Sequence, residues 1–181
     1  MNALRAAQGD ARRRAQALFD RIPQNRLYAI RPDDVRNTSG MYSPLMQVYL
    51  VYLRANEARS WPSGRPLGEL PRDGFGEDPL AVHHIFPKKF MVDRDFPIDR
   101  LNSVANYSIL WQNDNAELAD SDPMDAWRSL QLNQLSYASL QLCFEANDGF
   151  LRPEAYEEFL NHRSKKMAEQ LNAFIGLGKQ A

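Results

Sequence analysis

One cysteine, three histidines and no long apolar run are the scarcities of this 181-residue chain. A single thiol, Cys143, excludes an intramolecular disulfide and any zinc site built from several cysteines, and it fits a reducing compartment. Cys143 lies between apolar residues without an evident histidine partner, which argues against a nucleophilic role. No hydrophobic stretch approaches the ~20 residues that span a bilayer. The N-terminus, with Arg5 and Arg12-Arg13-Arg14, lacks the apolar centre of a secretory signal. A cytoplasmic protein without membrane contact is the expectation. Net charge is small as well: 22 Lys and Arg against 23 Asp and Glu leave −1. That argues against a surface built throughout to grip nucleic acid and leaves room only for a local basic patch, with modest, salt-sensitive affinity.

What is present is unevenly spread. Residues 1–26 hold six arginines against Asp10 and Asp20, a balance of +4, while 153–181 balance at zero and the middle carries −5. The length predicts one domain with its own core. The spacing of Leu4, Ala7, Ala11, Ala15, Leu18 and Phe19 predicts an amphipathic helix over 2–21. Its arginine triplet lies mostly off that face, either as solvated surface or as a phosphate contact. Pro23 ends the helix, and 28–38 is expected to be irregular. Ser43-Pro44 reads as a cap followed by proline at the first helical position. It starts a helix to about Ser60 with Leu45, Val48, Tyr49, Tyr52 and Leu53 inward.

Four prolines and four glycines then fill 62–79, a connector that either lines a site or merely links two halves. Strands are expected at 80–86, stopped by Pro87, and at 103–111, with a single turn at 88–92 and a polar loop at 93–99 between them. Helical character returns at 114–119. Asp122-Pro123 starts another helix carrying Met124, Trp127 and Leu130 inward. The last helix runs from Pro153 to about Gly176, with Tyr156, Phe159, Leu160, Arg163, Met167, Leu171 and Phe174 on one side. The expected class is α+β, mostly α-helical: a helical part (1–61), the Gly/Pro-rich loop (62–79), a strand–strand–helix core (80–122) and a second helical part (123–181).

Chemistry concentrates in that core. His83 and His84 stand side by side in Ala81-Val82-His83-His84-Ile85-Phe86-Pro87, and Asn102, Asn106, Asn113 and Asn115 punctuate the second strand and its helix. Hydrolysis of a phosphodiester needs a base, a hard divalent cation and a group that orients the base. Histidine is mostly neutral and basic near pH 7, and asparagine oxygens suit Mg²⁺, which keeps several waters. Neighbours in a regular strand point to opposite faces. Both histidines therefore serve one site only if the strand frays toward Pro87; otherwise one faces the core. His162, amid Arg163, Lys165 and Lys166, reads as surface.

The run His83-His84-Ile85-Phe86-Pro87, followed by Asn102-Ser103-Val104-Ala105-Asn106-Tyr107 and by Asn115 nine positions after Asn106, resembles an HNH (His-Me finger, ββα-metal) endonuclease. More narrowly, residues 83–123 resemble the C-terminal HNH domain of GmrSD-type bacterial restriction and anti-phage proteins, which cut modified or foreign DNA. The resemblance implies a ββα-metal finger surrounded by helices. It implies that His84 is the general base, that Asn106 braces the His84 loop and fixes which ring nitrogen is free, that His83 is a ligand of one Mg²⁺ or Mn²⁺ ion, and that Asn115 is a second ligand or orients metal-bound water. Lys88 and Lys89, just beyond the base, and Arg12, Arg13 and Arg14 are candidate DNA contacts. Ser121 stands where relatives often carry lysine. Such domains are usually joined to a nucleotide-hydrolysing, DNA-sensing domain, and no phosphate-loop motif occurs in this chain. The reading from a different class is a DNA-binding or protein-interaction module that keeps the finger shape without cutting.

Overall fold

The computed structural model describes residues 28–68, 78–143 and 148–177. The expected helix over 2–21, with Arg12, Arg13 and Arg14, lies outside them, as does the stretch 69–77 of the Gly/Pro-rich connector. The fold is mostly helical with one small sheet. Helices α1 (Pro32–Asn37) and α2 (Pro44–Ala55) precede strand β1 (Leu80–His84), helix α3 (Lys88–Val92) and strand β2 (Tyr107–Trp111). Helices α4 (Gln112–Leu118), α5 (Pro123–Arg128), α6 (Leu132–Leu142) and α7 (Tyr156–Phe174) follow. Among the described residues, no helix is long and apolar enough to cross a membrane.

The two strands pair antiparallel, with Leu80 opposite Trp111, His83 opposite Ser108 and His84 opposite Tyr107. Every residue of β2 is buried. Among the described residues no third strand joins its outer edge, so its backbone groups need other partners. Gln141, fully buried on α6, supplies them: its Oε1 accepts from the Ile109 N–H at 2.7 Å, and its Nε2 donates to the Ile109 and Arg59 carbonyls at 2.9 Å each. One amide side chain thus stands in for a neighbouring strand.

The long helix α7 is the other organiser. Helix α1 lies along it, α2 also packs on it, and it abuts the 3₁₀ turn Val104–Asn106. Its apolar face, with Tyr156, Phe159, Leu160, Met167 and Leu171, is buried as its spacing predicts, and Arg163 is buried there with them. The Arg163 guanidinium donates to the carbonyls of Gln141 (2.7 and 3.1 Å), Val104 (3.2 Å), Ala105 (2.6 Å) and Tyr107 (2.6 Å), and to the Tyr49 hydroxyl (3.3 Å). All of these acceptors are neutral. Together they replace the hydration that a buried charge forfeits.

Several sequence expectations need correction. Residues 28–38 are not wholly irregular: α1 forms there, with Pro32 at its first turn and Asp34 accepting from the Arg31 N–H at 2.8 Å. Helix α2 stops at Ala55 rather than near Ser60, because Asn56 Nδ2 bonds back to the Tyr52 carbonyl at 2.8 Å and Glu57 takes φ +55, the left-handed stop of a helix C-terminus. The first strand ends at His84, two residues early. The second begins at Tyr107 rather than Ser103, because the Ser103 hydroxyl caps a 3₁₀ turn by accepting from Ala105 N–H at 3.1 Å, and Arg163 takes the carbonyls that strand pairing would use. A 3₁₀ turn, Ile98–Leu101, closes the expected 93–99 loop. Helix α6 had no counterpart in the sequence reading, and His162 is half-buried, with Nε2 3.2 Å from the Cys143 carbonyl.

Replacing Arg163 with Met should leave these buried acceptors short of donors and cost about 3 kcal/mol or more in urea unfolding. Arg163→Lys should recover little of that loss, since an ammonium cannot match the five-donor fork. A Met variant within about 0.5 kcal/mol of the wild type, the range of ordinary surface changes, would contradict this role.

Candidate functional site

The site is built on the hairpin: β1 runs out at His84 at its connected end, and α4 leaves β2 at the opposite end without an intervening loop. A buried amide sets the turn after His84. Asn106 Oδ1 accepts from the Phe86 N–H at 2.9 Å, and Asn106 Nδ2 donates to the Phe86 carbonyl at 3.2 Å and the Leu101 carbonyl at 3.1 Å. The Ile85 N–H also donates to the Asn106 carbonyl at 2.9 Å. With these side-chain bonds all directed to backbone, Asn106 fixes the exit of β1.

The two histidines part company here, as strand alternation requires. His83 shares its face with Ser108 and Trp61: the rings of His83 and Trp61 meet edge-on at 6.0 Å, and Trp61 Nε1 lies 3.4 Å from Ser108 Oγ. It is only 6% exposed. It also lines a cavity of about 20 Å³ with Trp61, Ile85, Leu118 and Trp127, room for one water. From α4, Asn115 reaches back so that its Oδ1 lies 3.0 Å from His83 Nδ1. Asp114 orients that helix. Buried in the first turn of α4, it accepts from the hydroxyls of Ser60 and Ser63, the latter at 2.6 Å.

His84 faces the other way and is half-buried. Its ring meets Tyr107 edge-on at 4.9 Å, and its Nε2 lies 3.3 Å from Asn102 Oδ1. With that oxygen as acceptor, Nε2 carries the proton and Nδ1 keeps the lone pair. The contact expected from Asn106 on this ring comes instead from Asn102, because Asn106 is committed to the backbone behind the strand.

Electrostatics keeps both rings neutral near pH 7. Burial lowers the His83 pKa to about 4, against the opposing pull of its Asn115 hydrogen bond. Burial, then the charge of Lys88, also lowers the His84 pKa. Lys88 thus sits near His84, whereas Lys89 is exposed and paired with Asp93 at 2.6 Å.

Could His83 and Asn115 hold a cation? Two neighbouring ligands at ~2.1 Å from an octahedral ion stand about 3.0 Å apart, the separation found between His83 Nδ1 and Asn115 Oδ1. Facing an amide oxygen, Nδ1 carries the proton of the neutral ring, and it presents the lone pair that a cation requires once that proton moves to Nε2. Among the described residues, no group of three or more His, Cys, Asp or Glu side chains is arranged for a metal, so the protein would contribute these two donors. Such a partial set suits Mg²⁺, which retains most of its water.

Sequence reasoning missed Asn102, Asp114 and Arg163 as residues that position the site. Asn102 stood in the motif run without a role, and Asp114 lay in the polar cluster 112–115. Nothing marked Arg163 beyond a charge on an apolar helix face. The chain matches no protein-family model, no curated protein and no solved structure.

The low pKa of His83 makes stability depend on pH. The unfolded chain takes up a proton near the ordinary 6.5, and the folded chain refuses it until about 4. Stability contributed by the neutral ring is therefore present above that window and lost as pH falls through it, by up to about 3 kcal/mol. Urea unfolding at pH 7 and pH 4.5 should show a larger loss for the wild type than for His83→Gln. Equal losses would contradict the assignment.

Proposed function

We propose that this chain is a metal-dependent endonuclease of the HNH type that nicks DNA, the effector of a bacterial restriction or anti-phage system. The observation that carries the reading is the approach of His83 and Asn115. They lie 32 positions apart and on different elements, yet their side chains meet at 3.0 Å, the spacing of adjacent ligands on one hard cation. The order strand, strand, helix, with His84 at the end of the first strand and Asn106 tying down its exit, supports the same reading.

In this proposal His84 accepts, at Nδ1, a proton from the attacking water. Asn102 holds the Nε2 proton in place, so the basic lone pair stays on Nδ1. Water that has lost its proton to His84 attacks phosphorus in line, the 3′ oxygen departs, and a 5′-phosphate remains. When bound between His83 and Asn115, Mg²⁺ or Mn²⁺ supplies the positive charge that stabilises the phosphate and the leaving oxygen. Asp114 keeps Asn115 turned toward His83 through its two serine bonds. Lys88 offers a phosphate contact beside the base, a role less suited to Lys89 while it pairs with Asp93. One such unit presents one base, so a monomer nicks, and cutting both strands takes two copies. A partner domain that senses DNA and hydrolyses nucleotide belongs to the same proposal.

The strict alternation of His83 and His84 in a paired strand favours a second reading, a DNA-binding module that keeps the shape without cutting. Supercoiled plasmid with Mg²⁺ or Mn²⁺ separates the two. The wild type should convert it to the open circle, and His84→Ala should lose that conversion by a factor on the order of 10² or more. His83→Ala should be weaker at low metal and partly recover in excess metal. No metal-dependent nicking, or equal nicking by wild type and His84→Ala, would leave only the binding module.

A further inference from the structure

Asn102 belongs to two places at once. Its amide oxygen faces His84, and its side also lines a groove of about 420 Å³ between α1, the 99–103 segment and α7. That volume falls within the ~300–1,000 Å³ typical of small-ligand sites. The charged walls are Arg36 on α1, Asp99 and Arg100 on the 3₁₀ turn, and Glu157 on α7. Their formal charges cancel, so this is not a trough for a long run of phosphates.

The two arginines differ. Arg36 is spent within the fold, donating to Glu157 and Asn161. Arg100 has its backbone held, since its carbonyl accepts from the Tyr156 hydroxyl at 3.1 Å. Its side chain is exposed, and no hydrogen-bond or ion-pair partner engages its guanidinium among the described residues. One free cation suits one phosphate group, and Asp99 with Asn37 offers acceptors and a donor to a sugar or base. The wall continues to the base: the Thr38 carbonyl accepts from Val104 N–H at 2.9 Å, and the Gly40 backbone meets the hydroxyl of Tyr107, whose ring lies against His84.

The geometry points to a nucleotide subsite: the groove takes one unpaired nucleotide of the substrate strand, flanking the bond presented to His84, with its phosphate on Arg100. This assignment rests on the nuclease reading and names its substrate form. A stacked, paired duplex does not enter a groove of this volume, whereas a single strand or an extruded nucleotide does.

The test uses the intact protein in EDTA, so that binding is read without cleavage. Fluorescence anisotropy of a labelled single-stranded DNA octamer is compared with that of its duplex, for wild type, Arg100→Glu and Arg54→Glu. The last makes the same charge change at an exposed position on α2 that does not line the groove. The single strand should bind more tightly than the duplex. Arg100→Glu should weaken it by about tenfold or more, and Arg54→Glu by less than about twofold. Equal weakening by the two variants, or equal binding of single strand and duplex, overturns the subsite. Selective weakening by Arg100→Glu in a protein that never nicks plasmid keeps the subsite and removes the nuclease. Nicking by a protein whose strand binding ignores Arg100 does the reverse.

Discussion

A buried guanidinium that meets no carboxylate among the described residues is the constraint on which the rest of this structure depends. Burying a charge costs several kcal/mol unless its hydration is replaced, and Arg163 replaces it with backbone carbonyls and one tyrosine hydroxyl. Those carbonyls belong to the turn before β2, to the first residue of β2 and to the end of α6. The same charge therefore gathers the long helix, the hairpin and the helix that closes the hairpin's open edge. It also shapes the site at a distance. The turn it holds carries Asn106, Asn106 holds Phe86, and Phe86 follows His84 by two residues.

The hairpin solves a second problem by separating tasks. A regular strand cannot turn adjacent histidines to the same side. His83 accordingly joins Asn115 on the buried face, and His84 joins Asn102 and Tyr107 on the more open one. In the proposed nuclease this division is useful, since a ligand benefits from a dry, fixed setting and a base must meet water and substrate. Asn106 holds the turn that directly follows both histidines, so it matters more than its lack of contact with either ring suggests.

Much of this was legible in the sequence, for identifiable reasons. Ser43-Pro44 and Asp122-Pro123 announced helix starts because a capping oxygen and a fixed φ are local devices; both side chains do cap. The apolar stripe of α7 was readable from its period. The pairing of His83 with Asn115 could be anticipated from motif order, but the choice of Asn102 as the partner of His84 could not, because it depends on how a 3₁₀ turn replaces expected strand. That replacement follows from Arg163, whose acceptors in the turn are backbone atoms and so leave no trace in side-chain pattern. The same holds for Gln141, a polar residue whose value lies in mimicking a strand edge. Helix α6 escaped notice because its start rests on Gln131 and Gln134 rather than on a serine, threonine or aspartate cap.

The central claim is that His83 and Asn115 together hold one divalent cation on the buried side of the hairpin. Paramagnetic broadening by substoichiometric Mn²⁺, followed in the amide and side-chain NMR signals of the intact protein, tests it most directly. The account predicts that His83 and Asn115 broaden first, His84 and its neighbours next, and that His83→Ala removes the pattern. Broadening spread over the exposed acidic residues, with His83 and Asn115 untouched, would contradict it.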